Sequence, residues 1–113
     1  MFKKILVPTD GSDVGAKAAS VAAEMAKAAG GQVVGVYVID PFPYIGIGDA
    51  SAVGLQSYLS DAKRVAGAAL EQVASACRAQ GVPFAGDTIE RNLVWEGILE
   101  TAKAEGCDLV AMG

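Results

Sequence analysis

Ile5-Leu6-Val7-Pro8 runs directly into Thr9-Asp10-Gly11-Ser12, and this junction constrains the chain more than any other stretch. A short apolar run rich in β-branched residues reads as a strand, Pro8 ends it, and the four residues that follow are turn formers that supply a helix N-cap. An alanine-rich segment comes next. The junction is therefore a strand-to-helix corner, the place where open parallel sheets hold ligands.

The rest of the chain repeats that grammar. Val14, Ala18, Val21, Ala22, Met25 and Ala29 recur at helical spacing, with Lys17, Glu24 and Lys27 displaced from them, so residues 14–29 are predicted as a helix packed on a sheet and stopped by Gly30-Gly31. Gln32 to Ile39 is a nearly continuous apolar run, as expected of a strand buried on both faces. Residues 40–54 are rich in proline and glycine and break every period. They are predicted as a long loop, and Phe42, Tyr44, Ile45 and Ile47 make it apolar enough to serve as a lid or a partner surface.

A second amphipathic helix is predicted from Leu55 to Gln80, with Leu55, Leu59, Ala62, Ala66, Ala69, Leu70, Val73 and Cys77 inward. Phe84 to Arg91 is more polar and fits an edge strand. A third helix is predicted over Leu93–Glu105, with Asn92 as N-cap and Trp95, Ile98, Leu99 and Ala102 as its buried stripe. Asp108 to Met112 is predicted as another buried strand. The order is βαβαβαβ, one α/β domain.

Composition excludes several functions. A net charge of −4 with scattered basic residues argues against a nucleic-acid partner, which needs a positive stripe to displace counterions. No apolar run is long enough to cross a bilayer. The run after Lys3-Lys4 is too short for a signal peptide, which favours a cytoplasmic address. The absence of histidine removes Ser-His-Asp and Cys-His catalysis from these residues. Cys77 and Cys107 lie far from any C-x-x-C spacing and read as structural thiols. Neither G-x-G-x-x-G nor a P-loop is present, which disfavours a dinucleotide dehydrogenase or a Walker-type ATPase.

At the first corner, the backbone N–H groups of Gly11 and Ser12 and the helix start are expected to offer a seat for phosphate. Asp10 has two readings from residue type alone. It can serve as the acceptor of a local Asx-turn, or as a carboxylate for a ribose hydroxyl or a nucleotide-bound cation.

The strand followed by Pro8-Thr9-Asp10-Gly11-Ser12 resembles the opening of the universal stress protein family, and the order of elements matches that family across all 113 residues. The resemblance implies an open parallel sheet of Rossmann-like, adenine nucleotide α-hydrolase-like architecture, strand order 3-2-1-4, with a ligand crevice between strands one and four. It implies nucleotide contacts at Pro8, Thr9 and Asp10, an adenine-lining role for Val38, and a phosphate loop starting at Met112 and Gly113. ATP or AMP is the expected ligand, with Mg2+ or Mn2+ reaching Asp10 through the phosphates. A homodimer acting in stress response is expected, without catalytic residues. Family members that bind nucleotide continue as G-x-x-G and a later G-[ST], of which only Gly113 is present. The usual Gly-x-Pro before the third helix is replaced by Asn92-Leu93-Val94.

A central strand left uncovered would expose Leu109, Val110 and Met112, so the pattern predicts further polypeptide after Gly113 carrying a fifth strand, residues 1–113 being one domain incomplete at its C-terminal end. An interaction module that binds no nucleotide and works through dimerisation or the 40–54 loop is the alternative. An adenylating or pyrophosphate-releasing enzyme of the wider group would need a second catalytic region.

Overall fold

The computed structural model describes residues 3–39, 52–91 and 93–111. In chain order the elements are β1 (Lys4–Pro8), α1 (Asp13–Ala29), β2 (Gln32–Ile39), α2 (Ala52–Gln80), β3 (Phe84–Glu90), α3 (Val94–Ala104) and β4 (Leu109–Val110). The four strands form one parallel sheet in the order β3-β2-β1-β4. This is the α/β architecture and strand order expected from the sequence.

Alternation along the strands divides the core in two. Ile5, Val7 and Val33 face α1 and α2, where Ala19, Ala22, Ala23, Ala26, Val73 and Cys77 close over them. Leu6, Val34 and Val36 face the opposite side, where Ile98 of α3 meets them. Right-handed crossovers explain the split. The steps from β1 to β2 and from β2 to β3 move one way across the sheet, whereas the step from β3 to β4 returns past both, so its helix lies on the other face.

Two helices bury different stripes from those predicted. In α1 the inward residues are Gly15, Ala19, Ala22, Ala23 and Ala26, and Val14 and Val21 are exposed. So many alanines leave the helical phase undetermined, and the close approach of helix to sheet selects the smallest side chains. In α3 the inward residues are Gly97, Ile98 and Thr101, while Trp95 is 58% exposed and Leu99 49%. A Cβ on Gly97 would lie 3.0 Å from Ile89 Cδ1 and 3.1 Å from Val38 Cγ2, so the helix lies too close to β2 and β3 for anything larger at its contact line. Thr101 is tolerated there because its hydroxyl donates to the Gly97 carbonyl at 2.8 Å.

Other boundaries move by small steps. α2 begins at Ala52, inside the segment predicted as loop; the remaining loop residues, 40–51, lie outside the described residues, as does the Leu55 side chain. Its inward Ala66, Ala69, Val73 and Cys77 agree with the predicted stripe. The cap position of α3 is Leu93, which makes no side-chain capping bond; Asn92, the predicted cap, lies outside the described residues. β4 has two residues and is not buried: Leu109 is half-buried and Val110 is exposed.

Two devices fix the sheet. Gly30 ends α1 in the left-handed region at φ 68°, and Gly31 then presses against the Lys3 backbone so closely that a Cβ would collide with the Lys3 carbonyl. That contact lets Gln32 N–H donate to Lys3 O at 2.7 Å and sets the β1–β2 register. On the other side of β1, the Asp108 carboxylate accepts from the N–H groups of Lys3 and Lys4, each at 3.1 Å. These bonds hold its carboxyl below the ordinary 3.8. Cys77 and Cys107 lie on opposite faces of the sheet as free thiols, and burial raises both above the usual thiol range.

Candidate functional site

β1 ends opposite Val36, where Pro8 pairs with it and the Thr9 N–H donates to the Val36 carbonyl at 2.9 Å, while β2 runs on to Ile39. Beyond them the chain turns into α1 on one side, and α3 starts on the other. A cavity of about 430 Å3 opens between these parts, a size suited to a small organic ligand. Pro8, Thr9 and Asp10 line it from β1 and its turn, Val36, Tyr37 and Val38 from β2, Ser12, Val14 and Gly15 from the start of α1, and Val94 and Ile98 from α3.

The structure therefore brings together four of the six residues singled out in the sequence, Pro8, Thr9, Asp10 and Val38. Met112 and Gly113 lie outside the described residues. Among the described residues the cavity is lined from the β2 side of β1; the carboxyl end of β4, where the expected crevice would open, lies outside the described residues. Val14, Gly15, Val36, Tyr37, Val94 and Ile98 were missed as lining residues. Gly15 could have been found by asking why a glycine occupies the first turn of an alanine-rich helix. Val94 and Ile98 depend on where α3 crosses the sheet, which only the tertiary structure reveals.

The chemistry of the corner departs from the phosphate seat expected there. Gly11 N–H donates to Thr9 Oγ1 at 3.1 Å, Ser12 N–H to Asp10 Oδ1 at 2.9 Å, and Gly15 N–H to Ser12 Oγ at 3.2 Å. Gly11 makes the turn possible by taking φ 83°. The N–H groups of Gly11 and Ser12 that were to hold phosphate are thus already engaged by side-chain oxygens. Competition from these local turns consumes the donors. Hydrogen bonding from Ser12, its side chain first and its backbone N–H second, holds the exposed Asp10 carboxyl below the ordinary 3.8. The corner presents a charged carboxylate and hydroxyl oxygens to the cavity, with valine and isoleucine on the remaining walls.

Among the described residues, no group of three or more His, Cys, Asp or Glu side chains is arranged to hold a metal ion. Asp10, whose Oδ1 accepts from Ser12 N–H, fits a cation only as a single ligand among the described residues, the rest coming from a phosphate-bearing molecule. No helix among the described residues is long and apolar enough to cross a membrane.

An open parallel α/β sheet with a ligand-sized cavity over the carboxyl ends of its first two strands defines a class of small Rossmann-like α/β domains. Within that class, the family model of the universal stress proteins matches residues 1–113, and the chain belongs to the universal stress protein family. It is 33% identical over 114 residues to the universal stress protein MJ0531 of Methanocaldococcus jannaschii, covering 100% of this chain and 65% of that relative. It is 34% identical over 115 residues to a universal stress protein of Thermus aquaticus, covering 100% of this chain and 77% of the other.

Among solved structures, a universal stress family protein from Burkholderia pseudomallei superposes with a TM-score of 0.77 at 27% identity, over 99% of this chain and 81% of that one. The Archaeoglobus fulgidus universal stress protein in complex with dAMP gives 0.72 at 19% identity, over 100% and 81% of the two chains. An Arabidopsis thaliana family member with AMP bound gives 0.72 at 15%, over 98% and 76%. At the last two identities the likeness establishes the fold. The chain spans 65% of the length of the Methanocaldococcus relative.

Proposed function

We propose that this chain binds an adenine nucleotide, AMP or ATP, in the cavity at the carboxyl ends of β1 and β2, and acts as a homodimeric cytoplasmic regulator in stress response. The observation that carries the proposal is the lining: apolar walls from Val36, Val38 and Ile98 for a base, beside the ionised Asp10 for a sugar hydroxyl. Support comes from family relatives solved with AMP and dAMP. Pro8 and Thr9 border the same space, while Met112 and Gly113 are assigned to the phosphates by the family resemblance alone. A Mg2+ or Mn2+ ion bridging phosphates would take Asp10 as one ligand and supply charge neutralisation. The proposal assigns binding without chemistry.

Calorimetric titration of the purified chain with AMP and with ATP, with and without Mg2+, tests this directly. Saturable binding with a matching rise in melting temperature is expected, because a ligand that binds only the folded state stabilises it. No heat and no thermal shift at millimolar nucleotide would remove the proposal.

A second reading is an interaction module without nucleotide, and one observation favours it. The first-corner N–H groups, Gly11 and Ser12, are held by Thr9 and Asp10 rather than left for a phosphate. In that case the 40–54 segment is the partner surface, and deleting residues 42–47 abolishes partner capture with the folded core intact, while the nucleotide titration stays flat.

A further inference from the structure

α3 carries two of the apolar residues that line the cavity, Val94 and Ile98, and Gly97 stands between them in the chain. Glycine is the least favoured residue inside a helix after proline, and here it is buried against the sheet rather than placed at a turn. Val38 of β2 and Ile89 of β3 are register partners, and both pack on the α3 face of the core. A Cβ at position 97 would stand 3.1 Å and 3.2 Å from the two Val38 methyls and 3.0 Å from Ile89 Cδ1. Gly97 therefore rests on this cross-strand pair without itself lining the cavity.

The two contacts differ in how they would yield. Ile89 Cδ1 is the far end of a flexible side chain and can swing aside. Val38 is β-branched and stiff at χ1, on a strand that β3 still pairs at that point. A methyl group at position 97 would thus push on Val38 or lift α3. Val38 is part of the β2 wall of the cavity, and Val94 and Ile98 are the wall that α3 supplies, so either movement changes the spacing between the walls. Spacing matters because dispersion is short-ranged: a gap of about 0.5 Å forfeits about a quarter of each contact's attraction.

We propose that Gly97 is a positioning residue, which seats α3 on Val38 so that Val94 and Ile98 stand at the spacing from β2 that a flat heteroaromatic ring fills. The inference rests on nucleotide binding in this cavity and adds a residue that touches no ligand. Thr101 serves the same seat. One turn along α3, its buried hydroxyl donates to the Gly97 carbonyl, so the contact line holds no unpaired hydroxyl.

The test is calorimetric titration with AMP of the full chain in four forms, the natural sequence, Gly97→Ala, Val38→Ala and the double variant, with a melting curve for each. The natural sequence is expected to bind AMP about threefold tighter than Gly97→Ala, while Gly97→Ala melts no lower, because alanine is favoured over glycine within a helix. Val38→Ala removes the methyls that the new Cβ meets. In that background Gly97→Ala is expected to leave AMP affinity where Val38→Ala alone puts it, a non-additivity that a residue acting independently of Val38 would not show. Equal affinity of the natural sequence and Gly97→Ala would overturn the positioning role and leave nucleotide binding standing. A full loss persisting in the Val38→Ala background would also overturn it. No binding of AMP to the natural sequence would remove the nucleotide proposal, and this inference with it.

Discussion

The two faces of the sheet are covered unequally. On one, α1 and α2 lie side by side and bury Ile5, Val7 and Val33 beneath alanine, Val73 and Cys77. On the other, α3 alone covers Leu6, Val34 and Val36, with only Ile98 as its large buried side chain. Of the exposed large apolar residues, Val94, Trp95 and Leu99 lie on α3, Leu93 at its cap position and Val110 on β4, while Val14 and Val21 of α1 and Val65 of α2 are exposed on the outer side of the other two helices. Arg91, just after β3, binds Glu100 of α3 at 2.7 Å and ties the helix to that edge of the sheet. The first face owes its stability to dense packing. The second combines sparse packing with half of the cavity wall.

Substitutions can break this contrast. The largest effect is expected from Gly31→Ala, because the new Cβ would meet the Lys3 backbone at the hinge that registers β1 against β2. A loss of about 3 kcal/mol or more in urea unfolding is expected. Ile5→Ala on the dense face should cost about 3–4 kcal/mol, near the upper part of the range for a fully buried isoleucine, and Ile98→Ala about 2 kcal/mol, since its surroundings are open enough to relax. Equal costs for the two would show that the faces are packed alike.

The Asp108 clamp gives a pH dependence. Its folded carboxyl titrates below the ordinary 3.8, so its contribution is present above that value and is lost as pH falls through the lower folded one. Asp108→Asn is expected to reduce stability at neutral pH and to flatten part of the acid-induced loss below pH 3.8, read from melting curves between neutral pH and strong acid. An unchanged acid limb would assign that loss to other carboxylates. The smallest effect is expected from Trp95→Ala, within about 0.5 kcal/mol, as for exposed positions generally. A loss of several kcal/mol would mean that this flank of α3 is covered in the folded protein.

Much of the fold was legible because local signals agreed. The Pro8 and Gly30-Gly31 stops, the apolar run at Gln32 to Ile39 and the long period of α2 each pointed to a single element type. The faces of α1 and α3 were not legible. Hydrophobic periodicity weights large residues, whereas a helix pressed against a sheet selects small ones, so Gly15, Ala19 and Gly97 were overlooked in favour of Val14, Val21, Trp95 and Leu99. Of the cavity, Pro8, Thr9, Asp10 and Val38 could be named from one motif and one strand end. The Asx-turn that Asp10 closes on Ser12 N–H was one of its two readings from residue type, whereas the matching bond from Gly11 N–H to Thr9 was not anticipated, because whether such a turn closes depends on side-chain torsions that residue types do not specify.

The bonds from Lys3 and Lys4 to Asp108 join positions 105 and 104 residues apart. On a ribosome, β1 can pair with β2 once residue 39 has emerged, yet its other edge stays open until residue 108 follows, several seconds later at ordinary elongation rates. During that interval Ile5-Leu6-Val7 is a naked apolar strand edge in a crowded cell, open to pairing with a neighbouring nascent chain. Lys3 and Lys4 stand at its entrance as like charges that repel a second copy. The same two residues then give their backbone N–H groups to Asp108, so a guard on the unfinished sheet becomes the latch on the finished one.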